Sequence, residues 1–390
     1  MESRSTRVLI VAGEASGDLH GGGLVRAFRQ QVPDLEFEGI GGRHMQEAGV
    51  KLLSGIEGLG AIGFFEIFNT LFRHITLYFD LRKRLARGDY RAAILINYPA
   101  FNLLLAGLCK RFRCPALFYI GPQIWASRPG RIHRIRRNVS KMYVVLPFEE
   151  ALYREAGVPV AFLGHPFVDL VKPRQTVEQT RTEFKLKPGV PVVGLFPGSR
   201  KSEIGFLLDD MFKAAALIEK ELGECRFLLP VADTLKREDI EKKAARYPVK
   251  IDVLPARNYE VMQVSDFLIL CSGSATLEAA LFECPQVIVY RVNALSYALL
   301  GWLVKIRWFG LVNIVAEEEV ATELLNDQVT PERIAGEALA VLTDREKSAA
   351  VRSRMHRVHE SLGRPGVVSR VAADMAHEMG LAPSNETSAR

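Results

Sequence analysis

Short apolar runs alternate with longer stretches of helical periodicity along most of the chain. Apolar runs flanked by turn formers fit strands buried on both faces, and their alternation with helices fits parallel sheets. In the first half the expected strands are Val8–Ala12, Glu36–Ile40, Ala92–Asn97, Ala116–Ile120, Met142–Leu146 and Val160–Leu163. Helices are expected at Asp18–Gln31, Phe65–Arg87, Asn102–Arg111, Gly130–Val139 and Glu149–Glu155. After Gly164-His165-Pro166 a polar segment, Lys172–Lys187, separates this series from a second. There the strands fall at Val192–Phe196, Arg226–Val231, Ile251–Leu254, Phe267–Cys271 and Val287–Arg291. The helices fall at Ser202–Leu222, Lys236–Arg246, Tyr259–Val264, Ala275–Phe282 and Pro331–Leu342. The pattern predicts an α/β protein of two Rossmann-like domains with a cleft between them, the first over 1–170 and the second over 171–345. Residues 346–382 are expected to form helices that pack back on the first domain or on a partner subunit, which leaves a homodimer open, and 383–390 a disordered tail.

One junction occurs in both halves. Val8-Leu9-Ile10-Val11 breaks into Gly13-Glu14-Ala15-Ser16-Gly17-Asp18 and then into a helix; Phe267–Cys271 breaks into Ser272-Gly273-Ser274-Ala275-Thr276-Leu277-Glu278 and another helix. A strand feeding a small-residue turn leaves helix N-terminal N–H groups facing outward, where phosphate or carboxylate is favoured. The first turn lacks the second glycine of a dinucleotide fingerprint and the Gly-Lys-Ser/Thr of a P-loop. Asp18 there is placed to cap the helix and Glu14 to overhang a ligand. In the second turn the small side chains admit a diphosphate, and Glu278 can accept hydrogen bonds from ribose hydroxyls. A plain capped helix remains the alternative. Leu195-Phe196-Pro197-Gly198-Ser199-Arg200 ends another strand, with Arg200 placed to neutralise a diphosphate or to pair with Glu203.

Composition narrows the class. With 390 residues, 48% hydrophobic and 25% charged, the chain is that of an ordinary globular protein of two domains. The net charge of +6 is unevenly spread. Arg128, Arg131, Arg134, Arg136, Arg137 and Lys141 cluster around His133 without an acid, a run suited to phosphate or anionic lipid, or simply to a solvated helix face. The five cysteines show no CxxC pair and no histidine spacing for zinc, so neither metal nor cofactor is called for. No apolar stretch is long enough to span a bilayer, and the first residues run into a strand without a signal-like apolar region, so a cytoplasmic chain is expected, though not necessarily far from a membrane. Two stretches are nonetheless aromatic and basic together: Ala61–Phe79, with Arg73 and His74, and Leu295–Leu311, with Trp302, Trp308 and Phe309. Such stretches suit a membrane interface or an acyl groove, with core helices as the alternative.

The motifs in their order resemble the lipid-A-disaccharide synthase family, inverting glycosyltransferases of the GT-B fold. The resemblance rests on Val11–Asp18, Gly63-Phe64-Phe65-Glu66, Pro122-Gln123-Ile124-Trp125-Ala126 with Arg128, and Leu146-Pro147-Phe148-Glu149. It continues through Gly164-His165-Pro166, Pro197–Arg200, Ser272–Glu278 and Val312-Asn313-Ile314. It implies joining UDP-2,3-diacylglucosamine to 2,3-diacylglucosamine 1-phosphate through a β-1,6 linkage, with UDP released. It further implies no metal or nucleic acid and peripheral contact with the inner face of the bacterial inner membrane. Carried over, Ser199, Arg200, Gly273, Ser274, Thr276, Glu278 and Asn313 hold the UDP-sugar. Glu14, Ser16, Asp18, Trp125 and Arg128 fall on the acceptor side.

One departure bears on the chemistry. Where the family carries an aspartate thought to act as base, this chain has Asn97, in Ile96-Asn97-Tyr98-Pro99-Ala100-Phe101-Asn102. Gly121 and Ser127 also replace a commoner serine and tryptophan. An amide can orient a hydroxyl but cannot take its proton. Glu14, Glu66 and His20 are the candidate bases, Glu14 first because it sits in the first turn. A related transferase or epimerase, or a UDP-sugar-binding protein without activity, is the alternative that Asn97 keeps open.

Overall fold

The computed structural model describes residues 5–56, 64–232, 235–291 and 307–381, the side chains of 64–71 and 201–202 excepted. The expected tail 383–390, part of Ala61–Phe79 and most of Leu295–Leu311 therefore lie outside the described residues. Two compact units result: Met1–Asp169 with Leu362–Arg390, and Leu170–Ser361.

The first unit is built on a parallel sheet ordered β3-β2-β1-β4-β5-β6-β7. Its strands are β1 (Arg7–Ala12), β2 (Glu36–Ile40), β3 (Lys51–Ser54), β4 (Ala92–Ile96), β5 (Ala116–Tyr119), β6 (Lys141–Val144) and β7 (Val160–Phe162). The central strands are buried on both faces. Along β1, Val8, Ile10 and Ala12 enter one apolar layer with Leu24, Val25 and Phe28, while Leu9 and Val11 enter the other with Leu81, Leu105 and Ala106. The covering helices are α1 (Ala15–Gln31), α2 (Arg43–Glu47), α3 (Phe64–Ala86), α4 (Pro99–Arg111), α5 (Arg131–Asn138) and α6 (Pro147–Glu155). β3 escapes the sequence pattern because it is a short edge strand with no buried residue.

The C-terminal helix Val367–Glu378 completes the α1 side of this sheet, with Val367, Val371, Met375 and Ala376 buried among the β1 and α1 side chains. Polar contacts fix both its ends. Asp169 accepts hydrogen bonds from the N–H groups of Gly366 (2.6 Å) and Val368 (2.9 Å), an anion at a helix start. Lys141 Nζ donates to Asp374 (2.6 Å) and Glu378 (2.9 Å). The preceding helix, Arg345–Ser361, belongs to the second unit, where Arg352 donates to the carbonyls of Glu283 and Asp266.

The second unit repeats the plan with order β10-β9-β8-β11-β12-β13, all parallel. Its strands are β8 (Val192–Phe196), β9 (Arg226–Pro230), β10 (Ile251–Leu254), β11 (Phe267–Cys271), β12 (Gln286–Tyr290) and β13 (Glu323–Leu325). In both sheets the strand order reverses next to the first strand, between β1 and β4 and between β8 and β11. Connections there diverge to opposite sides and leave a crevice at the carboxyl ends of the strands. All five cysteines are buried free thiols.

Two histidines, His165 buried and His20 half-buried, stand near each other in the first unit. Burial pushes His20 down to about 4, and burial together with the His20 charge pushes His165 down to about 3. Both are neutral in the folded chain and take up protons readily once unfolded, where histidine titrates near 6.5. Their contribution to stability is therefore complete above about pH 6.5 and lost as pH falls towards the folded values. Denaturant titrations across pH 7 to 4 are expected to show stability falling with pH, and His20→Leu should flatten that slope.

Candidate active site

Both sequence turns fall at the strand-order reversals. In the second unit, β8 ends in Pro197-Gly198-Ser199-Arg200 and β11 in Ser272-Gly273-Ser274. Between them lies a pocket of about 280 Å³ lined by Ser199, Arg200, Gly273, Ser274 and Glu278, with Glu203 and Asn258. Glu203 shapes one wall. Its Oε2 accepts from the N–H groups of Ser199 (3.0 Å) and Arg200 (3.1 Å), and its other oxygen from the Arg200 guanidinium (2.8 Å). Gly198 adopts φ of +104° directly over that carboxylate, where a Cβ would collide with it. The Arg200 side chain is 79% exposed, so its guanidinium is held beside the pocket rather than buried in it. On the other wall Ser274 Oγ donates to Glu278 (2.9 Å), and burial raises the Glu278 carboxyl.

Two other residues expected to hold the nucleotide have structural tasks. Thr276 is fully buried and its hydroxyl donates to the Gly273 carbonyl, which braces the turn from behind. Asn313 is also fully buried, and its amide is completely spent. Its Nδ2 donates to Ala321 O (2.7 Å) and Glu323 (2.8 Å), while Oδ1 accepts from Val320 N (2.8 Å) and Ala321 N (2.9 Å). Two donors and two acceptor positions are all an asparagine has. The same Glu323 accepts from Phe309 and Gly310, and Ser272 Oγ donates to Phe309 O, so this network supports the turn indirectly. Asn258 on the pocket wall was not singled out from the sequence, since nothing local marks it.

In the first unit β1 leads into Gly13-Glu14 and β4 into Asn97-Tyr98. Glu14 occupies the N-cap of α1 and is exposed, as is Ser16 beside it. Asn97 Nδ2 donates to Glu14 Oε2 at 3.4 Å, so the expected base and the departing residue meet. Asp18, expected to cap its own helix, is buried and caps α2 instead: it accepts from Gly42 (2.7 Å), His44 (2.9 Å) and Met45 (3.0 Å). His20 is half-buried with its Nδ1 shielded from solvent, and the Glu66 side chain lies outside the described residues. Trp125 donates from its indole to the buried Glu149 (3.1 Å), joining the Pro122–Ala126 and Leu146–Glu149 motifs, and Arg128 is exposed. Tyr98 and His74, which hydrogen-bond to each other, were not among the expected site residues. Among the described residues no cluster of three His, Cys, Asp or Glu side chains has the geometry to hold a metal ion.

Two parallel sheets, each with a turn of the sequence motifs at its strand-order reversal, define a protein of the two-Rossmann-domain, GT-B class. Solved structures agree on that architecture. The putative UDP-N-acetylglucosamine 2-epimerase of Listeria monocytogenes superposes with a TM-score of 0.65 at 11% identity, covering 96% of this chain and 97% of that one. The calicheamicin glycosyltransferase CalG4 does so at 0.61 and 14% identity, covering 97% and 99%. The sequence model of lipid-A-disaccharide synthetase matches residues 8–376. The lipid-A-disaccharide synthase of Trichlorobacter lovleyi is 42% identical over 369 residues, 95% of this chain and 96% of that protein. That of Geobacter sulfurreducens is 41% identical over 379 residues, 97% and 99%. The chain belongs to the lipid-A-disaccharide synthase family, glycosyltransferases of lipid A biosynthesis.

The different tasks of the pocket residues separate in measurement. Arg200→Ala is expected to weaken UDP binding by roughly 10- to 100-fold, the scale of a charge-assisted hydrogen bond, and Glu278→Ala by about tenfold. Asn313→Ala should instead lower stability by about 1–3 kcal/mol, because it strands buried N–H groups. Calorimetric titration with UDP and denaturant melts check both; unchanged UDP affinity in Arg200→Ala and Glu278→Ala removes the nucleotide assignment.

Proposed function

We propose that the chain transfers 2,3-diacylglucosamine from its UDP ester to the 6-hydroxyl of 2,3-diacylglucosamine 1-phosphate, releasing UDP and inverting the anomeric carbon. The observation that carries this reading is the second-unit pocket, where an exposed guanidinium and a partly buried carboxylate face each other across a turn of small residues. Arg200 leaves Glu203 for the diphosphate as negative charge grows on the leaving group. The Gly273–Ser274 turn lets that group approach the backbone, and Glu278 accepts from the ribose hydroxyls. In the first unit Asn97 orients the acceptor hydroxyl and Glu14 takes its proton as the new C–O bond forms. The proton thus passes to a carboxylate, and the electron pair of the broken bond leaves on UDP.

Purified protein given both lipid substrates should form the disaccharide, and Asn97→Asp should raise the rate, since a second carboxylate can share the proton transfer. Glu14→Gln should lower kcat by roughly 100-fold or more, as expected for loss of a general base. A wild type that binds UDP yet makes no disaccharide, while Asn97→Asp does, marks a binding protein whose base has been lost.

Contact with a membrane surface is part of the same proposal. No helix among the described residues is long and apolar enough to cross a bilayer. On α3, however, Phe72, Ile75 and Phe79 are exposed at helical spacing, as is Leu104 on the adjoining α4. Beyond α4, α5 turns His133, Arg134, Arg136 and Arg137 to solvent around the single buried Ile135. An apolar stripe beside a basic helix suits anionic lipid. Phe72→Glu with Phe79→Glu is expected to reduce sedimentation with phosphatidylglycerol vesicles by at least about tenfold, given the apolar area removed.

A further inference from the structure

We propose that His74 is a positioning residue for the acceptor turn, acting through Tyr98; the proposal rests on the transfer reaction above and on the geometry of the first unit. Asn97 and Tyr98 are consecutive and both left-handed, with φ of 47° and 51°, although neither is glycine. Such backbone persists only where its surroundings over-determine it, and it concentrates at functional turns. Asn102 supplies part of the constraint, its Nδ2 donating to the carbonyls of Asn97 (2.8 Å) and Ile96 (3.2 Å). The Asn97 N–H donates to Tyr119 O (3.1 Å), and the Tyr98 ring adds packing. That ring lies against Gly13 so closely that no Cβ fits there, which accounts for glycine immediately before Glu14.

Tyr98 therefore touches both shoulders of the turn. It follows Asn97 in the chain and packs on the residue preceding Glu14. Its hydroxyl is hydrogen-bonded to the His74 imidazole, and the His74 ring stands edge-on to Phe101 with centroids 5.3 Å apart. Burial, and then the Glu14 charge, push the Tyr98 phenol up, so it stays protonated and able to donate. His74 in turn is fixed on α3, which Arg73 ties to β3 and the loop after it through Ser54 Oγ (2.6 Å) and Gly55 O (2.8 Å). The chain of contacts runs from α3 through His74 and Tyr98 to the Glu14–Asn97 pair. That pair is 3.4 Å apart, long for a hydrogen bond and sensitive to how Tyr98 is held. His74 has no carboxylate role to fill; it sets where the carboxylate and the amide stand.

The test uses the full chain with His74→Phe, Tyr98→Phe, the double variant and His74→Gln. His74→Phe and Tyr98→Phe should each lower kcat by about tenfold or more, while UDP affinity and KM for UDP-2,3-diacylglucosamine stay within about twofold. The double variant should be no worse than the single ones, because both remove the same interaction. His74→Gln, which can still bond the phenol, should recover kcat to within about threefold and leave the pH profile of kcat unchanged in shape. Wild-type kcat in His74→Phe, additive losses, or a glutamine variant as impaired as phenylalanine overturns the proposal. If the wild type makes no disaccharide, the transfer reading fails, and amide hydrogen exchange decides the positioning role separately. Exchange at residues 13–16 and 97–102 faster by about tenfold in His74→Phe, with the melting temperature held, supports it; unchanged exchange there overturns it.

Discussion

A parallel strand has to be covered on both faces, and that requirement sets where ligands can meet this chain. Helices on both sides of each sheet take up the apolar side chains of its central strands, such as Leu9 and Ile10 on β1 or Leu195 on β8. Crossover connections leave uncovered only the carboxyl ends of strands where the order reverses. Gly13-Glu14 and Asn97 emerge at one such place, and Arg200 and Gly273-Ser274 at the other. Glu14, Gly273 and Ser274 are exposed at these turns, while Gly13 is covered by the Tyr98 ring.

Within the second-unit pocket the protein already balances its charges. Arg200 rests against Glu203, and because the arginine is largely exposed the pair is worth only about 0–1 kcal/mol. The guanidinium can therefore be drawn to another anion at little cost. Glu203 does not become idle when Arg200 leaves, since its hydrogen bonds to the Ser199 and Arg200 N–H groups keep the turn in shape. One carboxylate serves as temporary counter-ion and as permanent backbone brace.

Much of this was legible in the sequence, and the remainder failed for identifiable reasons. Central strands such as β4 and β11 are continuous aliphatic runs and announce themselves; β3 and β13 are short edge strands whose sequence carries no such run. The turns were found because small residues after a strand have few other uses. The tasks of individual polar residues were harder. Asp18 sits where a cap of α1 belongs, yet its partners lie at Gly42, His44 and Met45, beyond the reach of any local pattern. Asn313 and Thr276 belong to motifs of the second unit but spend their polar atoms inward. His74 was visible only as a basic residue among aromatics, because its partner Tyr98 is 24 positions away and follows an unusual stretch of backbone.

The return of the C-terminal helix Val367–Glu378 to the first sheet makes the second unit, in effect, an insertion within the first. During synthesis the segment Leu170–Ser361 is therefore complete in sequence while the β1 and α1 side chains still lack their cover. Val8, Ile10 and Phe28 gain the cover of Val371 and Met375 only after the second unit has been made. The sheet made first is thus completed by a helix that follows the whole second unit in sequence.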